Sequence, residues 1–312
     1  MKKFLLKISI FLGGLFLIIF IVFGANRYFS NFRINSKDTT LIIGHSHSEC
    51  AYNDSLITGV ANYSDSGETY FYNYIKLKKL IPQNPYINKV LIEFTNNQIK
   101  EYMDGRIWED KYISHRFPKY GVFMNKEEIE LLIQKNPSYF KENLSACFKS
   151  NFMMILRNRL NYSSEIGGYK YLERNFTDTE KKEEESLTIE EKTNPNSMAT
   201  YNLYYLDKII DFCTQHDIEI FFVRSPLHTS YALDNEAVFQ NIIKTRYKEI
   251  DFLDFSKFPL TDDEFGDAIH LNHKGAKKYS LWFDTLLKKG LFQKTNKQQF
   301  IDQEIKTLEF EL

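Results

Sequence analysis

Cysteine is scarce in this chain. Cys50, Cys147 and Cys213 are widely spaced, odd in number and without a Cys-x-x-Cys pair. That argues against a disulfide framework or a structural zinc site and leaves a single bridge open. An excess of one charge is also missing. The formal net charge is -1, so nothing in the overall electrostatics draws the chain to nucleic acid. No internal repeat is present. There is no Gly-x-Ser-x-Gly, so the nucleophile elbow of α/β-hydrolases is absent. What the chain has in quantity is aromatic: 27 Phe and 20 Tyr in 312 residues. Such rings supply large buried area, and Tyr adds a polar tip suited to a binding cleft.

One apolar run stands apart. Lys2, Lys3 and Lys7 precede an uncharged stretch from Ile8 to Ala25, close to the ~17–25 residues that cross a bilayer. Lysines on the short side place the N-terminus in the cytoplasm and the rest of the chain outside it. A cleaved signal peptide is the competing reading, with Val22-Phe23-Gly24 as a permissible site. Against it, the usual Ala-x-Ala is missing and the run is long for a signal peptide. No lipobox cysteine lies near its end. The expected plan is a basic tip over 1–7, a membrane anchor over 8–25 and a polar stalk over 26–38.

Beyond the stalk, strand and helix signals alternate. Thr39 to Ile43 and Lys89 to Phe94 read as apolar strands. Between them Thr69 to Leu80 has the 3.6-residue period of a helix that Pro82 stops. Strand, helix, strand at this spacing implies a parallel sheet with crossover helices. The rhythm weakens over 98–197, where helical stretches such as Lys126 to Gln134 form an expected insertion. Its end, 174–195, is dense in Glu and Lys and reads as a solvated linker. The sheet pattern returns with a helix over Tyr201 to His216, strands at Ile218 to Val223 and Glu249 to Asp254, and a helix over Lys274 to Leu287 closed by Gly290. The expectation is one three-layer α/β/α domain made of 39–97 and 198–290, with 291–312 as a polar tail.

Two short motifs at opposite ends of the chain make chemical sense together. Leu41-Ile42-Ile43-Gly44-His45-Ser46 is an apolar strand running into a Gly-x-Ser turn. Asp267-Ala268-Ile269-His270-Leu271-Asn272 lies just before the last of those helices. A serine is a weak nucleophile until an imidazole takes its proton, and the imidazole needs a carboxylate to hold its tautomer. The bland alternatives are that Ser46 caps a helix beginning near Ser48 and that Asp267 and His270 form a surface turn.

These motifs resemble those of the SGNH (GDSL-like) hydrolases. Gly44-His45-Ser46-x-Ser48 is similar to that family's first block, usually Gly-Asp-Ser-x-Ser. Ser66-Gly67 resembles the second, and Phe94-Thr95-Asn96-Asn97 follows a strand as the third, usually Gly-x-Asn-Asp, does. Asp267 to Asn272 matches the last, Asp-x-x-His-Leu-Asn. The resemblance covers about 39–97 and 218–287 and implies a flavodoxin-like parallel sheet. It implies Ser46 as nucleophile, His270 as general base and then acid, and Asp267 as the group that fixes the His270 tautomer. It also implies an oxyanion hole from the backbone N–H groups of Ser46 and Gly67 and the side chain of Asn96. Two departures stand out: His45 replaces the usual Asp, and Phe94 replaces the Gly of the third block.

Other residues near these motifs have weaker readings. His45 and His47 share a face and with Asp267 and His270 sketch a zinc site, yet they read more simply as turn residues flanking the serine. No metal and no cofactor is expected, since Ser, His and Asp need none. Arg224 and His228 follow a strand that should emerge beside Ser46 and are candidate substrate contacts, together with His45 and His47. Cys50 reads as a packing residue.

A membrane-tethered domain of this kind outside the cytoplasm resembles proteins that add or remove acyl groups on surface glycans, such as the alginate O-acetylation and teichoic acid D-alanine transfer proteins. In those systems a membrane-bound O-acyltransferase commonly supplies the acyl group. The expected activity is therefore a serine esterase or O-acyltransferase on ester-linked acyl groups of an envelope or secreted polysaccharide. Two alternatives stay open: a glycan-binding or assembly module with little turnover, and a lipid esterase.

Overall fold

The structure is a computed structural model that describes residues 1–176 and 197–311. From residue 177 on, the expected linker lies outside the described residues. Five parallel strands form the sheet: β1 (Thr40–Ile43), β2 (Val60–Asn62), β3 (Lys89–Glu93), β4 (Glu219–Arg224) and β5 (Asp251–Asp254), in the order β2-β1-β3-β4-β5. Successive side chains of a strand point to opposite faces, and both faces are covered, so the middle residues of the strands are apolar on both sides, with polar residues at the strand ends. Leu41, Ile43, Val90, Ile92 and Phe222 join one buried cluster. Ile42, Leu91, Phe221, Val223 and Leu253 join the other. On the first face lie the helices α3 (Tyr70–Gln83), α8 (Tyr201–Gln215) and α9 (Glu236–Thr245). On the second lie α2 (Ser46–Ala51) and α10 (His273–Lys288). This is the expected three-layer α/β/α fold.

The register aligns the strand ends. Ile43 pairs with Ile92, and Ile92 with Phe222. The turns after β1, β3 and β4 therefore emerge at one edge. The chain order reverses at β1, which has β2 on one side and β3 on the other. In open α/β sheets the crevice at such a reversal is where ligands bind.

The insertion is helical, with α4 (Tyr102–Trp108), α5 (Asp110–Tyr120), α6 (Lys126–Lys135) and α7 (Pro137–Leu156). Its buried Ile107, Ile113, Phe117, Leu132 and Phe140 belong to the same cluster as the sheet residues, so it extends the core.

Three expectations are corrected. Helix α3 runs to Gln83 through Pro82. Pro82 has no N–H for the Lys78 carbonyl, so the helix gives up one hydrogen bond in its last turn and ends one residue later. The stalk is packed. Phe32 is buried against Phe123 and Tyr162, with centroids 5.2 and 5.4 Å away, and Asn84 bonds both Phe32 O and Ile34 N. The tail forms helix α11 (Lys297–Glu311), which buries Ile301 and Ile305 one turn apart. Its Gln298 side chain accepts from Asp254 N at 2.8 Å and donates to Asp254 O at 3.1 Å, satisfying the backbone of Asp254 on the free edge of β5.

Helix α1 (Lys2–Phe29) is long and apolar enough to cross a bilayer, and almost none of its apolar span is buried. Its C-terminal turn docks on the insertion, where buried Asn26 donates to Asn151 O at 3.0 Å.

Candidate active site

Residues far apart in sequence meet at the sheet edge. Ser46 opens α2 directly after β1, and His45 caps that helix. Asp267 ends β6 (Phe265–Asp267) and His270 opens β7 (His270–Leu271), a short antiparallel pair ahead of α10. Asn272 fixes the far side of this loop. Its side-chain oxygen accepts from Lys274 N and Gly275 N, and its amide donates to Asp263 O and Phe265 O. Gly275 must lack a side chain, since a Cβ there would lie 2.1 Å from Glu264 O.

The resulting geometry is that of a charge-assisted triad. Ser46 Oγ lies 2.7 Å from His270 Nε2. His270 Nδ1 lies 2.7 and 2.8 Å from the two oxygens of Asp267. A carboxylate on Nδ1 keeps the proton there and leaves the Nε2 lone pair facing the serine hydroxyl. The Asp267 carboxylate also accepts the backbone N–H of Ile269 and His270 at 3.0 and 2.9 Å, and Arg174 bonds its outer oxygen. Burial pushes the Asp267 pKa up. The hydrogen bond and charge of His270, the Ile269 N–H and the Arg174 charge outweigh it, so the group sits below the ordinary carboxylate range.

The other blocks are tied to the serine turn by direct bonds. Asp65 N donates to Gly44 O at 3.3 Å, which places the 65–68 turn beside the first block. Gly67 in that turn has φ +67°, the left-handed conformation that glycine adopts without strain. A buried ion cluster holds the turn from behind. Lys76 Nζ bonds Glu68 at 2.6 Å and Tyr63 O at 2.5 Å, and Arg116 bonds Ser66 O and pairs with Glu68. The third block touches the first where Thr95 Oγ1 lies 3.4 Å from His45 Nε2.

The structure places the Asn96 side chain elsewhere. Its amide nitrogen donates to Asp234 O at 3.1 Å and Glu236 Oε2 at 2.8 Å, so both hydrogens are used. Its oxygen accepts from Arg224. An oxyanion donor at Asn96 is therefore not available in this arrangement. The reason is Arg224 itself, only 3% exposed, which gathers Asn96, Glu236 and Asp254 around its guanidinium. Burial, then the Arg224 hydrogen bonds and charge, act on Asp254 and Glu236 with a net lowering of both. Arg224 is thus committed inside the protein and has no free face for substrate. His228 is likewise engaged. Its ring nitrogens contact Asp262 Oδ1 at 2.9 Å and Ser230 Oγ at 2.7 Å, and its backbone N–H bonds Ala268 O inside the Asp267–His270 loop.

His45 and His47 lie directly beside the triad. Their rings sit 4.4 Å apart, and the His47 ring packs edge-on against His270 at 5.5 Å. Burial, then the charges of Arg106 and His270, pull His45 down to about 3. Burial, His45, His270 and Arg106 hold His47 well below its ordinary value. Both are neutral rings at physiological pH, so neither contributes charge to substrate binding.

Three residues at this site escaped the sequence reading. Arg174 sits at the start of a segment that reads only as linker. Arg106 belongs to the insertion, and its guanidinium lies over the rings of Tyr102 and Tyr112 at 5.1 and 5.6 Å. Glu93 is fully buried, with a carboxyl that burial, opposed by the Ser225 hydrogen bonds, raises to about 7. Its signal was a lone acid within an otherwise apolar strand.

A cavity of about 790 Å³ lies on the β2 side, lined by Arg33, Asn53, Tyr63, Tyr169 and Tyr171 among others. Ser46, His270 and Asp267 do not line it. Tyr171 nonetheless stacks on His273 at 4.7 Å, three residues from His270.

A protein-family model matches residues 93–292, nearly two thirds of the chain, and the chain belongs to that family. No sequence relative among curated proteins matches it. Three solved structures are similar at low identity. One, assigned as an acylhydrolase from Bacteroides fragilis, is 10% identical with a TM-score of 0.37, covering 90% of this chain and 94% of that one. A GDSL-like lipase from Bacteroides thetaiotaomicron is 9% identical with a TM-score of 0.35, covering 81% and 87%. A third, assigned as a platelet activating factor from Streptococcus pneumonia, is 12% identical with a TM-score of 0.36, covering 91% and 98%.

Proposed function

We propose that this chain, a member of the SGNH (GDSL-like) hydrolase superfamily, is a serine esterase or O-acyltransferase that works through Ser46, His270 and Asp267. One observation carries the reading: the 2.7 Å contact from Ser46 Oγ to His270 Nε2, continued by the His270–Asp267 contacts. In this mechanism Ser46 Oγ attacks the ester carbonyl as its proton passes to His270 Nε2. Asp267 stabilises the imidazolium that forms. The backbone N–H groups of Ser46 and Gly67 face the developing oxyanion. His270 then returns the proton to the leaving alkoxide, and an acyl group remains on Ser46. Water or a sugar hydroxyl, deprotonated by His270, completes hydrolysis or transfer.

The substrate class we propose is an acylated polysaccharide of the cell envelope or a secreted one, met outside the cytoplasm. The apolar helix α1 behind Lys2, Lys3 and Lys7 supports the tether and its orientation. The aromatic and polar lining of the cavity at Tyr63, Tyr169 and Asn53 suits the ring faces and hydroxyls of a sugar. A membrane-bound O-acyltransferase is the proposed acyl donor.

The test is fluorophosphonate labelling of the full-length protein in detergent, followed by peptide mapping. A single adduct on Ser46, absent in Ser46→Ala and much slowed in His270→Ala, is expected. No adduct on folded protein would overturn the reading. A second reading draws on the engaged Asn96 amide, which leaves the oxyanion hole with fewer donors: a glycan-binding module with little turnover. Equal glycan binding by wild type and Ser46→Ala, with no deacylation by either, would favour it.

A further inference from the structure

We infer that His45, His47 and Glu93 form a binding site for one transition-metal ion of the zinc class, behind the turn that carries Ser46. One ligand atom from each residue lies within 4.8 Å of the other two. All three are buried, at 6%, 3% and 0% exposure. This set is new relative to the His45, His47, Asp267 and His270 sketch, because Asp267 and His270 are taken up by the triad.

The fold brings these residues together without help from a ligand. His45 and His47 flank Ser46 on the turn after β1, and Glu93 ends the neighbouring strand β3. Gly44 permits the close approach: a Cβ there would lie 2.4 Å from Glu93 Cβ. No other residue at position 44 would let the histidine turn settle so near the carboxylate.

The hydrogen bonding of the cluster is incomplete in the way an ion would complete it. His47 Nδ1 is buried and has no hydrogen-bond partner. The two nitrogens of His45 have contacts of 3.4 Å each, to His47 N and Thr95 Oγ1, at the weak end of the hydrogen-bond range. Glu93 is the opposite. Ser225 donates to it twice, from its backbone N–H at 2.9 Å and its hydroxyl at 2.6 Å. Such outer donors are what orient a ligating carboxylate. Buried polar groups ordinarily find partners, and an imidazole pair left loosely bonded beside a firmly aimed acid is a donor set lacking its acceptor.

The ligand types select the ion. Two imidazoles and one carboxylate suit Zn²⁺, Co²⁺ or Ni²⁺, and water would take the open position. Mg²⁺ and Ca²⁺ prefer all-oxygen shells. Arg106 opposes a cation here, but it makes no hydrogen bond to either ring, and its guanidinium lies over the rings of Tyr102 and Tyr112. Glu93 supplies the compensating charge from within the cluster. The ion would pin the serine turn to the end of β3, a positioning role that leaves the proton transfers to His270.

The experiment uses the full-length protein in detergent, stripped with a chelator and dialysed to equilibrium against Zn²⁺ or Co²⁺ alone. Metal content is read by mass spectrometry and Co²⁺ geometry by visible absorption. We expect about one ion per chain, a four- or five-coordinate Co²⁺ spectrum, and at least a tenfold loss of affinity in His47→Ala and in Glu93→Gln. Ser46→Ala should bind as wild type does, which separates this site from the acyl chemistry. Glu93→Gln preserves size, so a folding failure of His47→Ala leaves the test intact. Less than a tenth of an ion per wild-type chain, or equal retention by Glu93→Gln, overturns the inference.

Discussion

Ser46 Oγ and His270 Nε2 lie 2.7 Å apart although 224 residues separate them in sequence. The contact spans the whole fold, since one partner follows the first strand and the other precedes α10. It exists only when the sheet is assembled. Ser46→Ala and His270→Ala should each remove esterase activity by about 10⁴-fold or more while leaving the melting temperature near wild type. Asp267→Asn should cost about 10⁴-fold by favouring the wrong His270 tautomer. Hydrolysis of short acyl esters, measured beside circular dichroism, checks all three; activity within tenfold of wild type would sink the triad.

Gly44 sets the distance between β1 and β3 at the site. A methyl group there would meet Glu93 Cβ at 2.4 Å and Ser48 Oγ at 2.6 Å. The strands would have to part or the turn rotate. Gly44→Ala should therefore destabilise by about 1–3 kcal/mol and lower kcat by about 10²-fold through misplacement of Ser46. Urea unfolding and steady-state kinetics would show both effects together; a stability loss with unchanged kcat would mean that the turn is not held by this approach.

How much of this was legible in the sequence differs by residue. The sheet was readable because β1, β3 and β4 are short apolar runs, and their burial on both faces leaves no other reading. That Ser46, His270 and Asp267 should meet was readable because acyl-transfer chemistry needs those residue types in short motifs, and the structure brings the three side chains into contact. Asn96 was not, because its fate depends on Arg224, Glu236 and Asp254, brought together only by the parallel register of β3, β4 and β5. The C-terminal helix does carry a helical signal, with Ile301, Ile305 and Leu308 on one side and Phe300 beside them against the second cluster, but it is diluted by the Lys, Gln, Asp and Glu between them. Phe32 and Ile34 read as stalk because, with Tyr28 and Phe29, they sit among polar residues at spacings of no single period.

Arg224 separates a structural role from a substrate-binding one. Its guanidinium is nearly inaccessible and holds Asp254, Glu236 and the Asn96 carbonyl. Removing one member of a buried ion network leaves the others uncompensated, at a cost of about 3–5 kcal/mol. Arg224→Met should lower the denaturant midpoint strongly, and the KM of the surviving folded enzyme for a short ester should stay within about twofold. A large rise in KM without loss of stability would return Arg224 to the substrate.

Acid should reach the second block late, after it has protonated Glu93, Glu49 and Asp54, whose carboxyls burial raises. Burial raises the Asp65 carboxyl, but the charges of Lys76, Lys119 and Arg116 outweigh it and bring the group down to about 2, against an ordinary value of 3.8. Lys119 Nζ holds it at 2.8 Å. A carboxylate lowered in the folded state binds fewer protons there than in the unfolded chain. Its contribution is thus complete above pH ~4 and disappears as pH falls toward 2. Asp65→Asn should flatten the stability–pH curve across that window and leave the slope above pH 5 unchanged. Because Asp65 N also bonds Gly44 O, the same variant should lower activity at neutral pH only if the turn shifts; measuring Ser46 labelling rates for Asp65→Asn at pH 7 separates the charge of this residue from the placement of its backbone.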